Sequence, residues 1–406
     1  MKAAIIGALD IEHMGGGEAN AVMISNLLTE GGLEVKYFGS GCPVDNSKNH
    51  EGIAIKFDYE PSAFSHDIMS NPFILRTTRL LSLGLMGLLN YRKTFAKVVG
   101  ANLYYFQNPT YLARRLIPAL LKEGSKIILA NHGTYFEFLG NSKSFTLRLL
   151  GKVATKFILD PLKPYRESII VHTQNNSQTT FYLKNGFQKD NILEIPQHNV
   201  DFELYSIKQS NGPLKVAFLG RLTESKGLDI LPDIIERNPE VIFHIIGNGP
   251  LKARLKELVS GDNAIQHGFV TDKEKRRILS ECDAIIIPSY FESLSIAAVE
   301  GLASGLPIVG SETAPGLKHI IECNSIFGIL IPRTSEAFSN VLRILAEKKI
   351  TSPSTVLSER VKRRNKAISV FDNHTLTQKL INMISLALEQ PPQIDVSDLE
   401  VTSPTP

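Results

Sequence analysis

Two carboxylates and two cations define the chemistry this chain can offer. Glu292 and Glu300 are separated by seven residues. Along one helix they would stand roughly 12 Å apart, comparable to the span from a ribose across a diphosphate to an attached sugar. Ser293, Leu294 and Ser295 lie between them, where a helix is expected to begin, and backbone N–H groups at a helix N-terminus suit phosphate oxygens. Arg221 and Lys226 share the loop Gly220-Arg221-Leu222-Thr223-Glu224-Ser225-Lys226-Gly227. An Arg fork and a Lys point charge form a cationic clamp for a diphosphate. In the N-terminal half, Gly15, Gly16 and Gly17 precede a helix and can open N–H groups toward an anion. His132 follows an apolar strand and is placed to reach into a cleft. Each feature alone also fits a surface turn or a solvated helix; it is their combination that favours a ligand site.

The elements that must hold these residues read as alternating strands and helices. Residues 3–8 form a buried first strand, and the helix after it runs through Val22, Leu27 and Leu28 to Gly31-Gly32. Strands follow at Val35–Phe38, Leu103–Phe106, Lys126–Ala130, Ser168–Val171 and Ile192–Ile195. Pro196–Asp201 reads as a linker. A second series begins with Val216–Leu219, then Val241–Ile246 with the tight turn Gly247-Asn248-Gly249-Pro250, and residues 264–267 ahead of Gly268-Phe269-Val270. The apolar run 284–287, a helix stopped by Gly305, and the strand Leu306–Val309 complete a strand–loop–helix–strand unit. Doubly wound sheets of this kind bind ligands at their carboxyl edge. Gly15-Gly16-Gly17-Glu18-Ala19-Asn20 lacks the last glycine of a dinucleotide fingerprint, which argues against a nicotinamide enzyme.

Two segments differ in character. Phe73–Val99 alternates apolar clusters with Arg76, Arg79, Arg92, Lys93 and Lys97. In Ser142–Leu159 the ridge Arg148, Lys152, Lys156 is read as opposite Phe145, Leu149, Val153 and Phe157. Such basic amphipathic helices fit either a solvated face over a core or peripheral contact with an anionic membrane. The 406 residues allow two or three domains, and 43% hydrophobic content supplies their cores. A net charge of +3 without a clustered basic–aromatic motif excludes nucleic acid as the expected partner. Three distant cysteines with no CxxC point to a reducing, cytoplasmic setting, at most against the inner face of the membrane. No signal peptide is read, and the longest later apolar run has about half the length of a membrane span.

Taken together, the motifs GRLTESKG (220–227), GNGP (247–250), HGFV (267–270), PSYFESLSIAAVEGLASGLPIV (288–309) and GIL (328–330) resemble the retaining GT-B glycosyltransferases of family 4, the glycosyl transferases group 1. The resemblance implies an α/β GT-B fold, two Rossmann-like doubly wound parallel-sheet domains with an interdomain cleft. Expected boundaries are 1–200 for an acceptor domain and 201–365 for a donor domain, with 366–389 as a helix crossing back and 390–406 as a disordered tail. It implies a nucleotide-diphosphate sugar as donor, no cofactor, and a hydroxyl acceptor that is a glycan, a polysaccharide or lipid-linked. By position, Glu300 would take the ribose hydroxyls, Arg221 and Lys226 the diphosphate, and Glu292 the donor sugar. The amides of Leu294 and Ser295 would take the distal phosphate, and Gly15–Gly17 would approach the same phosphates. Val270 would meet the base through its backbone, Gly249 would line the donor site, and His132 would contact the sugar near the transfer point. The sequence has no Asp-x-Asp, in keeping with a metal-independent site. It departs from the family where Ser293-Leu294-Ser295 replaces Gly-Phe-Gly and Gln197-His198-Asn199 replaces the usual Asn-Gly. Two rivals share the scaffold, a sugar-nucleotide epimerase and a non-catalytic sugar-nucleotide binder.

Overall fold

A computed structural model describes residues 1–6, 16–39, 51–54, 98–110, 113–133, 145–259 and 261–388. Gly15, nearly all of the basic segment Phe73–Val99 and the proposed tail 390–406 lie outside the described residues. The chain divides into two compact units, Met1–Asn199 with the chain from Leu376 onward, and Val200–Thr375.

The first unit is built on a parallel sheet of β1 (Lys2–Ile6), β2 (Glu34–Gly39), β3 (Glu51–Ala54), β4 (Leu103–Phe106), β5 (Lys126–Asn131), β6 (Ile169–Thr173) and β7 (Ile192–Glu194). Their order is β3-β2-β1-β4-β5-β6-β7, so the winding reverses between β1 and β4. The central strands β1, β4 and β5 are covered on both faces, which is why they are apolar along nearly all their length rather than alternating. On one face Ala4, Tyr104, Phe106 and Leu129 pack with Leu116, Ile117 and Leu120 of the helix Ala113–Lys122. On the other, Ala3, Ile5, Tyr105 and Ile128 meet Ile24, Leu27 and Leu28 of the helix Gly16–Glu30. The last helix, Asn373–Leu388, closes this second core with Leu376, Leu380, Met383 and Ile384. Gln197 and His198, read as linker, are fully buried.

The second unit holds β8 (Lys215–Leu219), β9 (Ile242–Ile246), β10 (Ala264–Gly268), β11 (Ala284–Ile287), β12 (Ile308–Ser311) and β13 (Gly328–Ile331), all parallel, in the order β10-β9-β8-β11-β12-β13. Its reversal lies between β8 and β11, so the loops that leave their carboxyl ends flank the position where such sheets take ligands. The basic stretch Arg360–Lys366 lies in the helix Pro353–Val370, and part of it faces inward. Arg360 is buried and donates to the carbonyls of Lys208, Ser280 and Ser304 at 2.8, 3.2 and 3.0 Å. Arg363 reaches Ile326 O and Gly305 O at 2.7 and 2.8 Å. The Ser280, Ser304 and Gly305 carbonyls lie at or just past helix C-termini, where they have no partner inside their own helix.

The helix Phe145–Leu159 corrects one expectation. Gly151, Thr155, Ile158 and Leu159 face the core, while Phe145, Leu149, Val153 and Phe157 are exposed. The ridge Arg148, Lys152 and Lys156 lies beside that apolar row rather than opposite it, because both sets step by four residues from adjacent starting points.

Leu380 is fully buried against the first unit's sheet. Leu380→Ala is expected to destabilise that unit by about 2–5 kcal/mol. Hydrogen exchange should report the loss as faster amide exchange in β1 and β4, with the second unit's strands unaffected.

Candidate functional site

In the second unit the site is assembled by close backbone approach. The loop after β8 ends at Gly227, whose φ of +94° is left-handed and whose α-carbon faces Pro288 so closely that a Cβ would meet the Pro288 carbonyl oxygen at 2.5 Å. Tyr290 N donates to Ser225 O at 2.9 Å and joins this loop to the one leaving β11. Arg333 steadies the same loop, donating from Nε to Pro288 O at 2.8 Å and stacking 3.3 Å from the Tyr290 ring centre. The two loops are thereby held in contact, and Lys226 Nζ reaches both oxygens of Glu292, at 2.8 and 2.9 Å. Ser289 Oγ donates to Glu292 Oε1 at 2.7 Å. Glu292 is 8% exposed and its carboxylate is held by two side-chain donors.

The chain then turns sharply. Ser295 has φ 76° and ψ 84°, and it is the one non-glycine residue with positive φ among the described residues. The helix starts only at Ile296 and runs to Ala303, so Glu292 lies on the loop and the two carboxylates do not ride one helix. Gly316, at the start of the helix Pro315–Cys323, donates to Glu292 O at 2.8 Å. A Cβ there would come within 2.6 Å of the Ser293 carbonyl and 2.7 Å of Leu294 N, so only glycine allows this contact. Leu294 is buried in the core, and Ser295 Oγ is buried without a hydrogen-bond partner.

Glu300 makes a separate cluster. Its Oε1 accepts from Tyr205 OH at 2.9 Å and pairs with Lys275 Nζ at 2.7 Å. Burial works against the Lys275 ammonium, but Glu300 and Asp272 outweigh it and its pKa rises. Burial first, then Glu300, pushes the Tyr205 phenol above its usual range. Arg221 is exposed on the β8 loop. Val270 is partly buried against the same core as Leu294. Gly249 has a packing reason, since its Cβ would meet Leu222 N and O at 2.6 Å. The structure thus brings Lys226 and Glu292 into contact and gives Glu300 partners of its own.

In the first unit, Gly16 and Gly17 begin the helix Gly16–Glu30. His132 follows β5, and its ring belongs to a directed chain of hydrogen bonds. His172 Nε2 lies 2.9 Å from Ile195 O, which can only accept, so Nε2 carries the proton and Nδ1 is bare. Tyr105 OH, 3.0 Å from that Nδ1, must donate to it. The Tyr105 oxygen is then the acceptor for His132 Nε2–H at 3.1 Å. Gln174 Oε1 takes the Gln197 N–H at 2.9 Å, which turns its NH2 toward His132 Nδ1 at 3.1 Å. Asn20 Nδ2 approaches the same atom at 3.4 Å. His132 is therefore a neutral ring with Nε2 protonated and Nδ1 accepting. Burial lowers its pKa to about 3, with His172 adding to the effect. Burial likewise takes His172 to about 4, against the pull of the Ile195 carbonyl.

Tyr105, His172, Gln174, Lys275 and Tyr205 were not singled out from the sequence. A histidine and a glutamine at the carboxyl end of an otherwise apolar strand, in Ile170-Val171-His172-Thr173-Gln174, are the signal that could have found two of them.

Residues 202–366 match the family described as Glycosyl transferases group 1, bearing out that part of the resemblance read from the motifs. The sulfoquinovosyl transferase SQD2 of Arabidopsis thaliana is 34% identical over 149 residues, covering 34% of this chain and 29% of that protein. The amylovoran biosynthesis glycosyltransferase AmsK of Erwinia amylovora is 27% identical over 211 residues, covering 47% of this chain and 50% of its own. The chain thus spans half or less of the length of these curated relatives. Over nearly the whole chain, the fold is similar to the sucrose-phosphate synthase of Thermosynechococcus elongatus, with a TM-score of 0.72, 15% identity, and coverage of 96% of this chain and 100% of that one. It is also similar to Anabaena HepE solved with UDP and glucose, with a TM-score of 0.65, 14% identity, and coverage of 94% and 99%. These likenesses establish the two-domain GT-B fold.

Two predictions follow from the site's local chemistry. His132 and His172 have folded pKa values below the unfolded one, so the unfolded chain takes up protons first as pH falls. Their stabilisation is complete above about pH 6.5 and is lost on acidification, at up to about 1.4 kcal/mol per ring for each pH unit. The loss continues until pH nears the folded values of about 3 and 4. Denaturant midpoints of the first unit should fall through this window, and less in His172→Gln. Ser295→Gly relieves a left-handed side chain and removes a buried hydroxyl that lacks a partner. Against glycine's greater unfolded-state entropy, the net expected gain is about 1 kcal/mol, read as a higher midpoint for the second unit.

Proposed function

We propose that this protein transfers a sugar, with retention of anomeric configuration, from a nucleotide-diphosphate sugar to a hydroxyl on a glycan or lipid-linked acceptor. The observation that carries this reading is the Lys226–Glu292 pair beside the reversal in the second sheet, on loops that glycines bring together. A lysine held by a carboxylate is an exchangeable cation. On donor binding, Lys226 would pass from Glu292 to the diphosphate and, with Arg221, stabilise the charge that builds on the leaving group. Glu292, released from the ammonium, would accept the donor sugar's hydroxyls. No step in this scheme calls for a metal.

Glu300 would take the ribose hydroxyls. Tyr205 and Lys275 both hold its Oε1, so Oε2 is the oxygen assigned to the ribose. Leu294 and Ser295 would offer backbone N–H groups to the distal phosphate, and Gly16 and Gly17 would offer theirs to an anion at the start of their own helix. Val270 would meet the base through its backbone. His132 would contact the donor sugar near the transfer point as a neutral ring whose Nδ1 already accepts from Gln174, and would not move a proton at neutral pH. We place this work in the cytoplasm, at the inner face of the membrane when the acceptor is lipid-linked. HepE was solved with UDP and glucose, so UDP-sugars come first among the donors to try.

The test is a panel of UDP-, GDP- and ADP-sugars screened by thermal shift, followed by assay of the best donor for nucleotide release with and without acceptor sugars. Lys226→Ala and Glu300→Ala should each weaken that donor by about 1.5–3 kcal/mol, roughly 10- to 150-fold. Wild-type affinity in both would overturn the assignment. Release of free epimer without an acceptor would replace transfer with epimerisation, and binding without turnover would identify a non-catalytic binder.

A further inference from the structure

The helix Phe145–Leu159 presents a continuous apolar row to solvent. Phe145, Leu149, Val153 and Phe157 recur at every fourth position and are 73%, 50%, 59% and 38% exposed. From first to last they span about 18 Å of helix. The helix packs through its other side, where Gly151, Thr155, Ile158 and Leu159 are buried. Phe157 is backed by the Arg114 guanidinium, 3.9 Å from its ring centre. A contiguous row of large apolar side chains facing water marks a contact surface.

Charge identifies what covers it. The helix carries Arg148, Lys152 and Lys156 and no acidic residue. Lys152 and Lys156, both exposed, follow the apolar row along one edge, where long stems can lie over an apolar surface while their heads reach outward. A second copy of the chain packing its helix antiparallel on this face would set basic edge near basic edge. A bilayer interface with anionic headgroups suits both features, the apolar row entering the acyl boundary and the cations meeting phosphates. Among the described residues no helix is long and apolar enough to cross a membrane, so this contact lies in the plane of the interface.

We propose that the Phe145–Leu159 face docks the first unit on an anionic lipid surface. The proposal gives the membrane contact named above a specific address and rests on that part of the functional reading. Its test uses neither donor nor acceptor, so its failure and a failure of the transfer reading are distinguishable. The full chain is sedimented with vesicles of phosphatidylcholine alone or with about 30% phosphatidylglycerol, at low and high salt.

Binding to the anionic vesicles, at least tenfold weaker on phosphatidylcholine and reduced by salt, is expected. Leu149→Glu with Val153→Glu should lower it at least tenfold, and Lys152→Glu with Lys156→Glu at least tenfold at low salt. These positions are exposed, so circular dichroism should remain that of the wild type. If the glutamates unfold the helix, Leu149→Ser with Val153→Ser gives the same reading. Three results overturn the proposal. They are no sedimentation with anionic vesicles, sedimentation that both pairs leave unchanged, and a solution dimer that Leu149→Glu dissociates in a chain that ignores vesicles.

Discussion

The second unit's site depends on a single close approach, that of Gly227 to Pro288. Any side chain at 227 would meet the Pro288 carbonyl, and the left-handed backbone there also favours glycine. With the loops in contact, a lysine from one half of the sheet reaches a carboxylate from the other across the reversal in strand order. Without it, Lys226 and Glu292 would belong to unrelated turns. The Gly316 contact repeats the principle from a third direction, packing a helix N-terminus onto the Glu292–Leu294 loop. Backbone against backbone is stiff, and stiffness is what a site requires of the loops that carry its charges.

The first unit orders its site by a different means. Its polar residues sit at the ends of buried strands, where an unpaired donor or acceptor is costly. One backbone carbonyl, that of Ile195, sets the proton on His172. Tyr105 passes that choice to His132, and Gln174 meets the result from the other side. The histidine's tautomer thus follows from tertiary packing. Burial of both rings keeps the network neutral.

Charge in this molecule divides by depth. Arg360 and Arg363 lie inside and close helix ends, where a planar guanidinium can serve several carbonyls together. Lys226 and Lys275 sit at intermediate depth and hold carboxylates that the proposed function would have them share with a ligand. Lys152 and Lys156 lie fully outside, along an exposed apolar row. Residue type alone does not separate these roles; the surroundings do.

Much of this was legible in the chain itself. Apolar runs marked every described strand except β3 (Glu51–Ala54) to within a residue or two, because a strand covered on both faces must be apolar along its length, and the short edge strand β3 has no such run. The order and spacing of GRLTESKG, GNGP, HGFV and the long segment from Pro288 marked the family resemblance and the loops that carry the site. Other features emerged only in three dimensions. A loop position for Glu292 and a helix start near Ser293–Ser295 were readable, but the left-handed turn at Ser295 and the contact of Glu292 with Lys226 were not. The apolar row of Phe145–Leu159 has the period of a core-facing helix, and which side of a helix is buried depends on what else packs there. Tyr105 and Ile195 look like core residues in sequence, and their part in ordering His132 arises from contacts between separate strands. Local pattern records backbone preference and burial along one segment. The partners of a charge, a proton or an apolar face come from distant segments, and only the folded chain brings those together.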